Sequence, residues 1–240
     1  MKAREKVRAA MGMERRIDSI GDTRKTLEIE LYTTNKDTGE FIFEAIKLPA
    51  EEEEIREVIQ RLQAIGTKVL VWSSLAECKM FPGLEEFQLE EPTVDELNFF
   101  AKRLVAMTDK EKLVFEAMLQ GTLSQDYIPI RFITMQILIN HTYGLNDIPI
   151  AYNVSNFEEL GRFAFENDMN SDIIGVPEKV IPYLDFEKIG KIQQENDEGV
   201  FIQGCYVALG HFMPLDPYDG YTLPKEGATK AELHTQNPSM

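Results

Sequence analysis

Cysteine, histidine and tryptophan are scarce in this chain. Its 240 residues include two cysteines, three histidines and one tryptophan. Cys78 and Cys205 stand in no metal-like spacing. His141, His211 and His234 lie far apart, with no Cys or His neighbour at ligand spacing. No metal site is therefore expected. Two free thiols fit a cytoplasmic protein. Long apolar runs are also missing, for none approaches the roughly 20 residues that cross a bilayer. The N-terminal residues are charged and lack an apolar stretch, so no secretory leader is expected.

Recognisable catalytic and nucleotide-binding motifs are missing as well. The chain has no G-x-x-x-x-G-K-[ST] loop, no G-x-G-x-x-G after a strand, no G-x-S-x-G elbow and no H-E-x-x-H. His141 reads as a helix histidine satisfied by its surroundings rather than a catalytic base. A carboxylate pair of the glycosidase kind cannot be singled out from 41 acids. The expectation is a protein that is not an enzyme and uses no cofactor.

Basic residues are few, and acid is abundant. Asp and Glu number 41 against 25 Lys and Arg, a net charge of −16. Residues 1–25 hold eight basic and four acidic residues, so residues 26–240 hold 17 basic and 37 acidic ones, net −20. The acids are spread among apolar residues at helical and strand spacing rather than gathered in a tail. Self-repulsion opposes such a fold. Solubility is the simplest explanation, and an acidic surface presented to a basic partner is the sharper one. The charge argues against direct contact with nucleic acid or an anionic membrane. With 43% apolar and 10% aromatic residues, the body is globular.

The expected organisation is α+β, in three small domains. Residues 1–25 are a basic extension. Residues 26–90 form an N-terminal domain with an antiparallel sheet and one helix. Alternation from Thr26 to Thr34, a turn over Asn35–Gly39 and a strand from Phe41 to Leu48 predict a hairpin. Pro49 and Glu51–Glu54 suit the first turn of a helix that buries Ile55, Val58, Ile59, Leu62 and Ile65 and stops at Gly66. Residues 67–73 read as a third strand.

Residues 91–150 form a helical middle. Capping boxes at Thr93/Glu96 and Thr108/Glu111 open two helices, and Ile130–Tyr143 is a buried helix or a strand. Residues 151–213 form a C-terminal α+β domain. It has a capping box at Ser155/Glu158, a face of Phe157, Leu160, Phe163 and Ala164, and a short element over Pro177–Pro182. A helix over Asp185–Gln194 turns Phe186, Ile189 and Ile192 inward, and a strand spans Val200–Leu209. Residues 214–240 read as a flexible tail. No internal repeat is evident.

Five stretches resemble the ArdA antirestriction family of conjugative elements and phages. They are LPAEEEEIREVIQRL (48–62), FPGLEEFQLEEPTVDELNFFAKRL (81–104), LINHTYGL (138–145), SNFEELGRF (155–163), and VPEKVIPYLDFEKIGK with ENDEGVFIQGCYV (176–207). The likeness spans roughly Leu27 to Val207. Glu198 stands where the family carries a glycine, and His141 replaces an apolar residue.

The resemblance implies an elongated, curved, usually dimeric protein whose carboxylates imitate the phosphates of bent duplex DNA. It implies a partner, the DNA groove of a type I restriction–modification enzyme. Duplex DNA carries one charge per ~1.7 Å. Two bodies at −20 each would match about 68 Å of duplex. The candidate partner-binding surface is Glu51, Glu52, Glu53, Glu54, Glu85, Glu86, Glu90, Glu91, Asp95, Glu96, Glu158, Glu159, Glu166, Asp168, Asp185, Glu187, Glu195, Asp197 and Glu198. The competing readings are a generic acidic adaptor for one basic protein of a mobile element, and an enzyme with a carboxylate site. A compact globule of this length has a radius of gyration near ~18 Å. Small-angle scattering of the monomer is expected to give a clearly larger value, and a result at the compact value removes the mimic geometry.

Overall fold

A computed structural model of the protein describes residues 26–66, 68–71, 77–78, 80–81, 83–84, 87–123, 131–169, 173–211 and 215–225. The basic extension, Glu85, Glu86, Ile130, residues 72–73 and residues 226–240 lie outside the described residues. The fold is mixed α+β with an antiparallel N-terminal sheet.

Strands β1 (Leu27–Thr34) and β2 (Phe41–Leu48) pair in an antiparallel hairpin. Along β1 every second residue, Leu27, Ile29, Leu31 and Thr33, is buried, the period-2 signature of a half-buried strand. Helix α1 (Glu52–Ile65) buries Ile55, Val58 and Leu62. It starts three residues after Pro49, not on it, and Ile65 is 38% exposed at its end. Two short strands, β3 (Leu70–Val71) and β4 (Glu77–Cys78), both pair antiparallel with β1.

Strand β5 (Phe87–Glu90) leads into α2 (Val94–Ala106) and α3 (Asp109–Leu123). Thr93 and Glu96 form the expected reciprocal box. The Thr108–Glu111 pair does the same, with the Glu111 carboxylate accepting from Thr108 N and Oγ1 at 2.8 and 2.9 Å. The apolar run that followed is both things it could have been. It is β6 (Arg131–Thr134), parallel to β5, and then α4 (Met135–Asn140).

One apolar core runs from Leu27 to Ile148 and also takes in Ile202, Val207 and Tyr218. It is continuous across residues 90 and 91, an expected domain boundary. Two buried asparagines clamp it. Asn98 accepts from Ala50 N at 2.8 Å and donates to Ala50 O at 2.9 Å. Asn140 accepts from Tyr218 N and donates to Tyr218 O, both at 3.0 Å. Each closes a small ring on a distant backbone amide, so two buried polar groups are satisfied at once. The second clamp corrects the expectation of a loose tail. Residues 215–225 are placed, and Tyr218 is 3% exposed.

The C-terminal part holds β7 (Ile150–Tyr152), α5 (Phe157–Glu166), a 3₁₀ segment (Glu178–Tyr183), α6 (Phe186–Asp197), β8 (Val200–Ile202) and β9 (Cys205–Val207). The sheet order is β7-β9-β8. The single strand expected over Val200–Leu209 is a hairpin. Gln203 and Gly204 both take positive φ, +49° and +75°, as a two-residue primed turn requires. Ile192 is 41% exposed, and Gln193 takes the inward place.

Helices α5 and α6 resemble one another in sequence and in packing, against the expectation of no internal repeat. FEELGRFAFEND (157–168) and FEKIGKIQQEND (186–197) share Phe, Glu, Gly, Glu, Asn and Asp at the same offsets. The pair packs antiparallel through its glycines. A Cβ on Gly161 would fall inside the van der Waals surface of Phe186 O, and one on Gly190 inside that of Phe157 O. The cations reciprocate. Arg162 pairs with Glu158 at 2.8 Å and lies 4.4 Å over the Phe186 ring. Lys191 pairs with Glu187 at 2.6 Å and lies 5.6 Å over the Phe157 ring. The two helices are thus related by a pseudo-two-fold axis.

The N-cap of α5 sits one residue later than expected, at Asn156, and Glu159 reaches back past it to Ser155, so the expected Ser155/Glu158 box is not formed. Asn156 Oδ1 accepts from Glu159 N at 3.0 Å, and the Glu159 carboxylate accepts from Ser155 N and Oγ at 2.7 and 2.8 Å. Those bonds to the Ser155 backbone and hydroxyl hold Glu159 below the ordinary glutamate range. No helix among the described residues is long and apolar enough to cross a membrane.

Two expectations follow. Overpacking normally costs ~1–3 kcal/mol, and the helix-propensity gain of Ala over Gly is about 1 kcal/mol. At Gly161 and Gly190 the obstacle is backbone, which no rotamer change removes. Gly161→Ala is therefore expected to lose about 2 kcal/mol or more in urea unfolding, and a neutral result refutes the close crossing. For Glu159, a depressed pKa means its contribution is present at neutral pH and lost as pH falls through the folded-state value. NMR titration is expected to place this carboxyl below the ordinary range. Ser155→Ala moves it part of the way back, and an unchanged titration contradicts the cap.

Candidate partner surface

The acids expected to face a partner fall into three groups by what the fold does with them. The first group is consumed by structure. Glu96 is half-buried and saturated: Thr93 N and Oγ1 donate to Oε2 at 2.9 and 2.7 Å, and Tyr218 Oη donates to Oε1 at 2.8 Å. Burial, and then the Glu96 carboxylate, hold the Tyr218 phenol above its ordinary range. Asp197 is corrected outright. It is 5% exposed, accepts from Gln193 Nε2 at 2.8 Å, and belongs to the interior of the C-terminal end of α6. The Tyr206 phenol beside it is likewise pushed up, by burial first and by the Asp197 charge second. Glu159 and Asp185 are exposed but act as caps. Asp185 Oδ1 accepts from Lys188 N at 3.0 Å.

The second group is exposed and paired within its own helix. Glu53 meets Arg56 at 2.5 Å, Glu158 meets Arg162, and Glu187 meets Lys191. Such pairs are screened and contribute little to stability, and a competing cationic surface can displace them. Glu54 is exposed beside them in the first turn of α1.

The third group projects without an ion pair or side-chain hydrogen bond among the described residues. Glu51 and Glu52 open α1. Glu90, Glu91 and Asp95 lie at the corner from β5 into α2. Glu166 and Asp168 end α5, and Glu195 and Glu198 end α6. Glu85 and Glu86 lie outside the described residues. Asp168 and Glu198 take left-handed backbone, φ +51° and +47°. For Glu198 this is the conformation a glycine adopts without strain.

Placement separates structural acid from surplus acid. A helix N-terminus attracts negative charge, and a C-terminus repels it. Glu52–Glu54, Asp95, Asp109 with Glu111, Glu158 with Glu159, and Glu187 occupy first turns. Glu166, Asp168, Glu195 and Glu198 occupy the opposite ends of α5 and α6, where neither last turn holds a basic residue. Helix stability does not account for those four.

The same region carries apolar residues that the sequence reading passed over as a short element. In the 3₁₀ segment Val180 and Tyr183 are exposed, with Glu178 and Asp185 on either side. The three-residue spacing of Pro177, Val180 and Tyr183 was the available signal. Cation sites are not formed, since among the described residues no group of three His, Cys, Asp or Glu can hold a metal ion. His141 caps the end of α4, its Nδ1 lying 2.7 Å from Ile137 O. No known protein-family profile matches the chain, and no curated protein is significantly similar to it in sequence.

Proposed function

We propose that the chain is an acidic mimic of duplex DNA. It occupies the DNA-binding groove of a type I restriction–modification enzyme, acts as a homodimer, and inhibits stoichiometrically without catalysis. The observation that carries this reading is the acid at the C-terminal ends of α5 and α6. Carboxylates at these positions oppose the helix dipole and meet no cation among the described residues, which favours a partner outside the chain.

The helix pair supports the geometry. Because the crossing centres on Gly161 and Gly190, Glu166 lies level with Asp185 and Glu195 with Asn156 along the helix axes. Acid therefore gathers at both ends of a ten-residue helix, about 15 Å apart at 1.5 Å per residue. That is the scale of a B-DNA major groove, about 12 Å wide. The five stretches that resemble the antirestriction family give the target its name.

Binding is read by titrating the methyltransferase core with this protein against labelled duplex at several salt concentrations. Many weak ion pairs form together, so affinity falls with salt. A folded protein lacks the full condensed counterion layer of DNA. Its slope is therefore shallower than about −0.9 per phosphate contact, and it gains on DNA as salt rises. Salt-independent affinity, or turnover at substoichiometric protein, sinks the proposal. Binding that duplex DNA fails to displace assigns the chain instead to the adaptor class.

A further inference from the structure

The 3₁₀ segment Glu178–Tyr183 has two unlike faces. In a 3₁₀ helix residues i and i+3 eclipse one another, at ~2.0 Å rise per residue. Ile181 and Leu184 are half-buried and turn inward. Val180 and Tyr183 fall on another line, about 6 Å apart, together with exposed Pro177. Tyr183 is 86% exposed. This is high for a residue in a hydrogen-bonded turn, and the segment has such a turn at each end. Val180 N donates to Pro177 O at 2.8 Å, and Leu184 N donates to Ile181 O at 3.1 Å. Asp185 then caps α6 directly.

Folding gains nothing from an ordered tyrosine left in water. An interface gains a good deal, because a rigid aromatic carries contact area and loses little side-chain entropy on docking. The surround fixes the partner's chemistry. Exposed Glu178 and Asp185 flank the stripe, Glu166 lies level with Asp185, and the one cation within the segment is Lys179. A surface complementary to this one has an apolar notch inside a basic rim.

We propose that the Pro177–Val180–Tyr183 stripe is the apolar anchor of the partner interface. It seats in a notch within the basic groove, while the surrounding carboxylates guide the approach. The inference rests on the DNA-mimic reading and deepens it. A polyanion track alone competes with DNA only on charge. An apolar anchor supplies affinity that DNA cannot copy, concentrated in few residues as interface hot spots are, whereas the rim acts mostly on encounter rate and salt response.

The test compares the full-length chain with its Tyr183→Ala, Tyr183→Phe and Glu178→Gln variants in binding to the type I methyltransferase core across a salt series. Exposure at Tyr183 makes loss of folding an unlikely confounder, and thermal melts of each variant check it. Tyr183→Ala is expected to weaken binding tenfold or more with the salt slope unchanged, and Tyr183→Phe to retain most of the affinity. Glu178→Gln is expected to flatten the slope with less than a threefold loss. Tyr183→Ala within twofold of the parent overturns the anchor and leaves the mimic reading standing. If the parent itself does not bind, both fall. If Tyr183→Phe loses as much as Tyr183→Ala, the hydroxyl and not the apolar face makes the contact, which also overturns the anchor.

Discussion

Like charges on one folded body repel, and everything else in this protein is arranged around holding them. A pair of unit charges 4 Å apart in water costs about 1 kcal/mol, and salt screens beyond ~8–10 Å. The repulsion is therefore local, and it is met locally. First-turn acids sit in the favourable field of helix starts on α1, α2, α3, α5 and α6. The opposing force is the apolar core from Leu27 to Ile148, which also draws Ile202, Val207 and Tyr218 from the far end of the chain. Buried Asn98 and Asn140 fix that core to Ala50 and Tyr218, so distant segments are held by hydrogen bonds that surface charge does not reach.

Features set by neighbours in sequence were legible. The β1–β2 hairpin, the boxes at Thr93 and Thr108, and the buried stripes of α1 and α2 follow from periods of two and about 3.6 and from local capping. Where two local readings had equal spacing, the sequence could not choose. Ser155 with Glu158 was the expected box, whereas Asn156 is the N-cap and Glu159 reaches back to Ser155. Ile65 and Ile192 continue an apolar stripe but are exposed among the described residues. Residues 215–225 looked like part of a tail because Pro, Gly and polar residues dominate the chain from Pro214 on. Tyr218 is placed by Asn140 and by Glu96, the latter 122 residues away, a relation that no local pattern encodes.

The candidate surface was legible as composition and only partly as position. Glu51, Glu52, Glu90, Glu91, Asp95, Glu166, Asp168, Glu195 and Glu198 are exposed, as their charge alone leads one to expect. The losses are the acids whose partners come from afar or from a turn's end. Glu96 is taken by Tyr218, and Asp197 is buried where α6 meets the Gly199–Tyr206 contact. The helix repeat escaped notice because its shared residues are few and do not follow the apolar period. They are the glycines of the crossing, the phenylalanines under the cations, and the terminal Glu-Asn-Asp.

That repeat ties the charge to the fold. An antiparallel pair crossing glycine on glycine brings the backbones as close as they can come, so its geometry is set by main chain rather than by adaptable side chains. Arg162 and Lys191 are neutralised by their own Glu158 and Glu187 while they cover the other helix's phenylalanine. The pair therefore uses Arg162 and Lys191 internally and leaves Glu166 and Glu195, at matching positions of the two helices, exposed. Two similar acidic helices crossed in this way place two carboxylate ends at a fixed separation. A surface meant only to keep a protein in solution has no need of a fixed separation, whereas a surface that must match a rigid row of cations depends on one.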